Sequence, residues 1–147
     1  FAAVVLAEAG LRRLGLTSRI KHVLPFDIML PAVGQGALGI ECRANDDATA
    51  AALRPLDDAA THAAVTAERA LLESLRGGCM APVGALATVE SGKLGLQAVV
   101  LNINGSRRLF ASDATEPSRA AELGRRVAES LLQQGAAELI AGSRSGK

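Results

Sequence analysis

Ser74 to Leu101 reads "SLRGGCMAPVGALATVESGKLGLQAVVL", and the fold turns on this stretch because the hydrophobic period changes inside it. Up to Leu75 the apolar residues Ala64, Val65, Leu71, Leu72 and Leu75 recur at helical intervals, and Gly77 is placed to give the helix a left-handed stop. Beyond Cys79, "PVGALATVE" and "KLGLQAVVL" read as strands on either side of Ser91-Gly92, a pair suited to a tight hairpin turn. A helix followed by an antiparallel hairpin is the expectation.

Working outward, "SRRLFAS" gives a third strand after the turn signal "NING". A helix follows from about Pro117 to Gln134 with Ala120, Leu123, Val127 and Leu131 on one face; Gly135 ends it, and "AAELIAG" adds a short helix. Toward the N-terminus, Asp57 or Thr61 caps the helix that runs to Leu75, and "NDDATAAALRPL" (Asn45 to Leu56) is a capped short helix stopped by Pro55. Residues from about Asp57 to Ala141 therefore predict an α+β unit, a three-stranded antiparallel sheet with helices on one face. The preceding residues are too few for a domain of their own. Among them "FAAVVLA" reads as a buried strand, "EAGLRRLGL" as a helical turn ended by Gly15, and Leu38 to Arg43 as a period-two strand after a bend at Pro31, Gly34 and Gly36. A chain that opens within a strand-like run, without Met or a signal-peptide pattern, is read as a fragment whose N-terminal part is missing.

The 147 residues carry a net charge of +1 with scattered basic residues, which gives no footprint for duplex DNA. Only Phe1, Phe26 and Phe110 are aromatic, too few to stack the bases of a single strand. No apolar run reaches the roughly 18 residues of a membrane span. Thirteen of the 16 basic residues are Arg, the better bidentate partner for a carboxylate-bearing small molecule. Cys42 and Cys79 form neither a metal-ligand spacing nor a disulfide framework, as in a cytoplasmic protein with free thiols.

"GQGALG" (Gly34 to Gly39) matches the dinucleotide-binding spelling, but Pro31 precedes it and a strand pattern follows where a helix should open. A bend that lets backbone approach a ligand is the better reading. His22 and His62 lack companions at metal spacing, so no metal site is expected. Arg12 and Arg13 point about 100° apart on a helix, as two solvated charges or with one facing a cleft. Cys42, on the Leu38 and Ile40 face, is expected to be a small buried hydrophobe. Cys79 has flexible glycines before it and Arg76 near it, but no His to act as its base; the residues alone leave it between an incidental loop thiol and a reactive one.

Two long motifs, "LPAVGQGALGIECR" (Leu30 to Arg43) and "ERALLESLRGGCMAPVGALA" (Glu68 to Ala87), resemble the porphobilinogen deaminase (hydroxymethylbilane synthase) family, with "VLAEAGLRRLGL" (Val4 to Leu16) in register. The resemblance implies the C-terminal portion of a three-domain transferase: incomplete pieces of two α/β domains followed by a small α+β domain. Residues 1–30 would end the second domain, 31–36 form a hinge, 37–54 return to the first domain, and 57–147 form the cofactor-carrying domain.

On this resemblance Cys79 holds a dipyrromethane cofactor through a thioether. Each porphobilinogen loses ammonia to give an electrophilic azafulvene that a soft sulfur can capture. Four further units are then joined head to tail, and hydroxymethylbilane, a precursor of haem and other tetrapyrroles, is released. Arg13 matches a family arginine that binds the acetate and propionate groups, for which a guanidinium fork is suited. Gln35, Gly36 and Ala37 match the hinge beside the cofactor. Arg69 is read as an interdomain ion-pair partner.

The family's catalytic aspartate lies in the absent N-terminal portion, so no catalytic residue is assigned here and the fragment alone is expected to be inactive. Asp46, Asp47, Asp57 and Asp58 are read as helix starts. The implied full-length protein is a cytoplasmic monomer whose partners are porphobilinogen and its own N-terminal part, with neither nucleic acid nor membrane. The rival reading is a non-catalytic small-molecule binding or interaction module with an unmodified Cys79. A thiol redox protein is the third reading, opposed by the expected burial of Cys42.

Overall fold

The computed structural model describes residues 2–78 and 81–145. Its elements are α1 (Glu8–Arg13), α2 (Asp47–Leu53), α3 (Ala59–Ser74), β1 (Val83–Glu90), β2 (Lys93–Leu101), β3 (Arg108–Thr115), α4 (Ala120–Gln133) and α5 (Ala136–Ser145), with 3-10 turns at Thr17–Arg19, Arg54–Leu56 and Pro117–Arg119. The strands form one antiparallel sheet in the order β1-β2-β3.

The hairpin forms where the sequence places it. Ser91 and Gly92 both take positive φ (50° and 78°), so the turn twists with its strands and sets Glu90 opposite Lys93. From that register Ala85 and Ala87 of β1, Leu94, Leu96, Ala98 and Val100 of β2, and Leu109 and Ala111 of β3 share one buried face. α3 and α4 pack on that face through Ala63, Ala67, Leu71 and Leu75, and through Ala120, Leu123, Val127 and Leu131. Thr88, Gln97 and Ser112 on the opposite face are exposed. This is the small α+β unit expected, with α5 closing one end through Ala136, Leu139 and Ile140.

Helix boundaries follow local chemistry. The carboxylate of Asp46 caps α2 by accepting from the Thr49 N–H at 3.0 Å. Asp58, rather than Asp57 or Thr61, caps α3, accepting from the Thr61 N–H at 2.7 Å. The left-handed residue that ends α3 is Arg76 (φ 50°) instead of Gly77. Arg76 N–H donates to the Glu73 carbonyl at 2.9 Å and Gly77 N–H to that of Leu72 at 3.0 Å, the paired bonds of a Schellman end. Gly77 packs closely: a Cβ there would meet Leu72 Cδ1 at 2.6 Å, and the leucine side chain would have to shift.

Two expected strands do not form. Residues 2–7 and 37–43 have no ladder partner among the described residues, and Val4, Val5, Leu6, Leu38 and Ile40 are exposed, Leu38 at 93%. A period-two pattern states which side of a strand is apolar, but the strand exists only when a neighbour satisfies its backbone. Cys42, expected to be buried on that pattern, is exposed for the same reason. The bend before it does form, with Gly34 at φ 73° and Gly36 at φ 91°.

Candidate functional site

Segment 30–37 lies along the outer side of β1. Leu30 rests on Gly84, where a Cβ would come within 3.1 Å of both its Cβ and its carbonyl oxygen. The Ala85 N–H donates to the Pro31 carbonyl at 2.9 Å. Farther along, the Gly34 N–H donates to Glu68 Oε2 at 2.6 Å, and the Ala87 N–H donates to Glu68 Oε1 at 2.8 Å. One carboxylate of α3 thus ties both the segment and the strand. The outward amides of Ala85 and Ala87, on an edge strand with no further strand beyond it among the described residues, are both satisfied.

The bend is braced internally. Gln35 N–H donates to the Ala32 carbonyl at 3.0 Å, and Ala32 N–H donates to Gln35 Oε1 at 3.2 Å. Ala37 N–H closes the next turn on the Gly34 carbonyl at 3.3 Å. Gln35 and Gly36 are exposed and Ala37 is half-buried. Among the described residues no atom outside the immediate chain lies within 4 Å of a Cβ built at Gly36.

Glu68 was not singled out by its sequence. It is the one buried charged residue among the described residues, 7% exposed. The signal was its helical position: Ala64, Leu71 and Leu75 are four residues before, three after and seven after it, so the charge stands in the apolar stripe of α3. Its neighbour Arg69, read as an ion-pair partner, is exposed and makes no ion pair among the described residues.

The two candidate arginines divide clearly. Arg12 donates from Nε to Glu8 Oε1 at 2.7 Å across one turn of α1. Arg13 is exposed and has no carboxylate partner among the described residues. Cys79 lies outside the described residues. On its two sides, a Cβ at Gly78 would have open space within 4 Å, and the Ala81 N–H returns to the Gly78 carbonyl at 2.9 Å.

The aspartates behave as helix starts where they bond. Hydrogen bonds from the Thr49 and Thr61 N–H groups hold the Asp46 and Asp58 carboxyls below the ordinary range. Asp47 opens α2, and Asp57 stands 3.5 Å from exposed His62. Among the described residues no three His, Cys, Asp or Glu side chains are grouped to hold a metal ion. Shallow hollows lie elsewhere, about 680 Å³ at Arg43 to Ala48 and about 340 Å³ on the open sheet face by Thr88, Gln97 and Ser112.

Comparison with known proteins matches the chain to one family. Residues 1–51 match the family model described as "Porphobilinogen deaminase, dipyromethane cofactor binding domain", and residues 62–133 match "Porphobilinogen deaminase, C-terminal domain". The porphobilinogen deaminase of Desulforudis audaxviator is 50% identical over 98% of this chain and 47% of its own length. That of Nocardia farcinica is 52% identical over 94% of this chain and 42% of its own length. That of Brevibacillus brevis is 49% identical over 96% and 45%. The chain spans a little under half the length of these curated relatives. With both models matched in chain order, the chain belongs to the porphobilinogen deaminase family.

Proposed function

We propose that this chain is the C-terminal part of a hydroxymethylbilane synthase that joins four porphobilinogen units head to tail with loss of ammonia. On this reading 1–30 ends a second α/β domain, 31–36 is the hinge, 37–54 returns to a first α/β domain, and 57–147 carries the cofactor. The protein works as a cytoplasmic monomer together with an N-terminal part that supplies the catalytic aspartate. The observation that carries the reading is the fastening of segment 30–37 to α3 and β1, the two elements on either side of Cys79 in the chain.

The residues present fit a dipyrromethane group. Open space beside Gly36 and Gly78 leaves room for pyrrole rings, while the braced turn at Gln35 brings backbone near them without a bulky side chain. When bound, the cofactor supplies the pyrrole end to which each new unit is joined. Cys79 holds it through its sulfur, a bond that needs a soft nucleophile only once. Arg13 receives the acetate and propionate groups through its fork of N–H donors and so orients the incoming pyrrole. Ala37 and Gly36 line the approach.

Peptide mapping of the full-length protein from its native host tests this. Trypsin releases Gly77 to Lys93 with Cys79 as its single thiol, and Cys42 falls in a separate peptide as control. The expected result is a dipyrromethane-sized mass on the Cys79 peptide alone, with resistance to alkylation. Free alkylation of Cys79 in intact, folded protein overturns the reading in favour of a binding module.

A further inference from the structure

We propose that Glu68 is a positioning residue for this chemistry, which sets the bend at Gln35 to Ala37 relative to the loop that carries Cys79. The inference rests on the function just proposed. Its observation is the double bond of one buried carboxylate: Oε2 receives the Gly34 N–H at 2.6 Å and Oε1 receives the Ala87 N–H at 2.8 Å. Both partners are donors, and Glu68 offers an acceptor oxygen to each.

The connections are made at chosen places. Glu68 belongs to α3, which leads into the Cys79 loop; Ala87 belongs to β1, which leads out of it; Gly34 is the residue before Gln35. A rigid strut between these three segments fixes the bend against both ends of the loop. Leu30 on Gly84, the Pro31 carbonyl on Ala85 and Val33 against the core hold the segment upstream of Gly34, so among the described residues Glu68 is the tie nearest the bend, and its release would loosen residues 35–37. Building the cofactor on Cys79 would be done once, with one C–S and one C–C bond formed and one ammonia lost for each of its two porphobilinogen units, so a slowed variant would still complete it, whereas every turnover repeats the condensation four times.

The test is Glu68→Gln in the full-length protein, an isostere whose NH2 meets one of the two N–H donors. Measured together are the mass of the Cys79 peptide, kcat and KM for porphobilinogen, and hydrogen exchange over 31–37 and over β2. The expected variant keeps its adduct and the protection of β2, exchanges faster at 31–37, and loses about 10- to 100-fold in kcat. Unchanged kcat and unchanged exchange at 31–37 overturn the proposal while leaving the function standing. A wild-type protein with neither adduct nor product overturns the function instead. Should the Gln variant not fold, Glu68→Asp, one methylene too short to reach both donors, is measured in the same way. A fall in kcat with its adduct retained supports the proposal, and wild-type kcat overturns it.

Discussion

Gly124 of α4 faces the carbonyl of Ala67 on α3 so closely that a Cβ at position 124 would collide with that oxygen and come within 2.8 Å of Ala70 Cβ and Leu71 N. The helices cross on backbone there. Alanine would add about 1 kcal/mol of helix propensity. It must also push two packed helices apart, and overpacking of this kind costs about 1–3 kcal/mol. Because two of the three obstacles, Ala67 O and Leu71 N, are main-chain atoms that cannot swing aside, the clash wins. Gly124→Ala is expected to lower the denaturation midpoint; a rise would show that the helices separate freely.

Ser91 is a non-glycine residue in the left-handed region at the first turn position of the β1–β2 hairpin. Ser91→Asn keeps the turn and substitutes a residue that visits this region more readily. A gain of about 0.5 kcal/mol in unfolding free energy is expected, with no change in activity. A loss would mean that the turn is held by something other than its backbone angles.

Acid should weaken the link between β3 and α4. The Arg126 guanidinium bonds the Asp113 carboxylate at 2.8 Å and holds its pKa below the ordinary carboxylate range. The folded pKa therefore lies below the unfolded one. The contribution is complete above the unfolded value and is lost as pH falls through the lowered folded value. Both side chains are more than a third exposed, so the effect is small. Denaturant titrations of wild type and Arg126→Gln, run from neutral pH downward, should differ at neutral pH and converge in acid. A gap that stays constant removes this pair from the acid response.

The two arginines of α1 should separate in an assay of the full-length protein. Arg13→Ala is expected to lower kcat/KM for porphobilinogen about 10-fold, the loss of one charge-assisted hydrogen bond. Arg12→Ala, whose guanidinium is occupied by Glu8, should change it little. Equal losses in both would point to α1 stability as the common cause.

Much of the C-terminal unit was legible because its signals are local. A Ser-Gly turn fixes a hairpin register, and the spacing Ala120, Leu123, Val127, Leu131 fixes the buried face of α4. Leu38 and Ile40 misled because alternation says nothing about whether a partner strand is at hand. Asp58 and Arg76 displaced their neighbours as cap and stop through backbone angles that composition does not encode. In the candidate site the bend at Gln35 was readable from its glycines, Arg13 is exposed on α1, and Cys79 lies outside the described residues. Glu68 was hidden by its chemistry: a charged residue in a helix is ordinarily solvated, and its two partners are peptide groups that leave no mark in the side-chain pattern.

The stitching of Pro31 and Gly34 to Ala85, Glu68 and Ala87 also makes the cooperative unit larger than the interval from Asp57 onward. Ala85 of β1 takes its partner, the Pro31 carbonyl, from before α2, and Glu68 takes one of its two donors, the Gly34 N–H, from there as well, so a piece cut to begin at Asp57 loses both and opens part of the outer edge of β1 to intermolecular pairing. A division of this chain for expression, labelling or transplantation therefore belongs ahead of Leu30 rather than between the two matched domain regions.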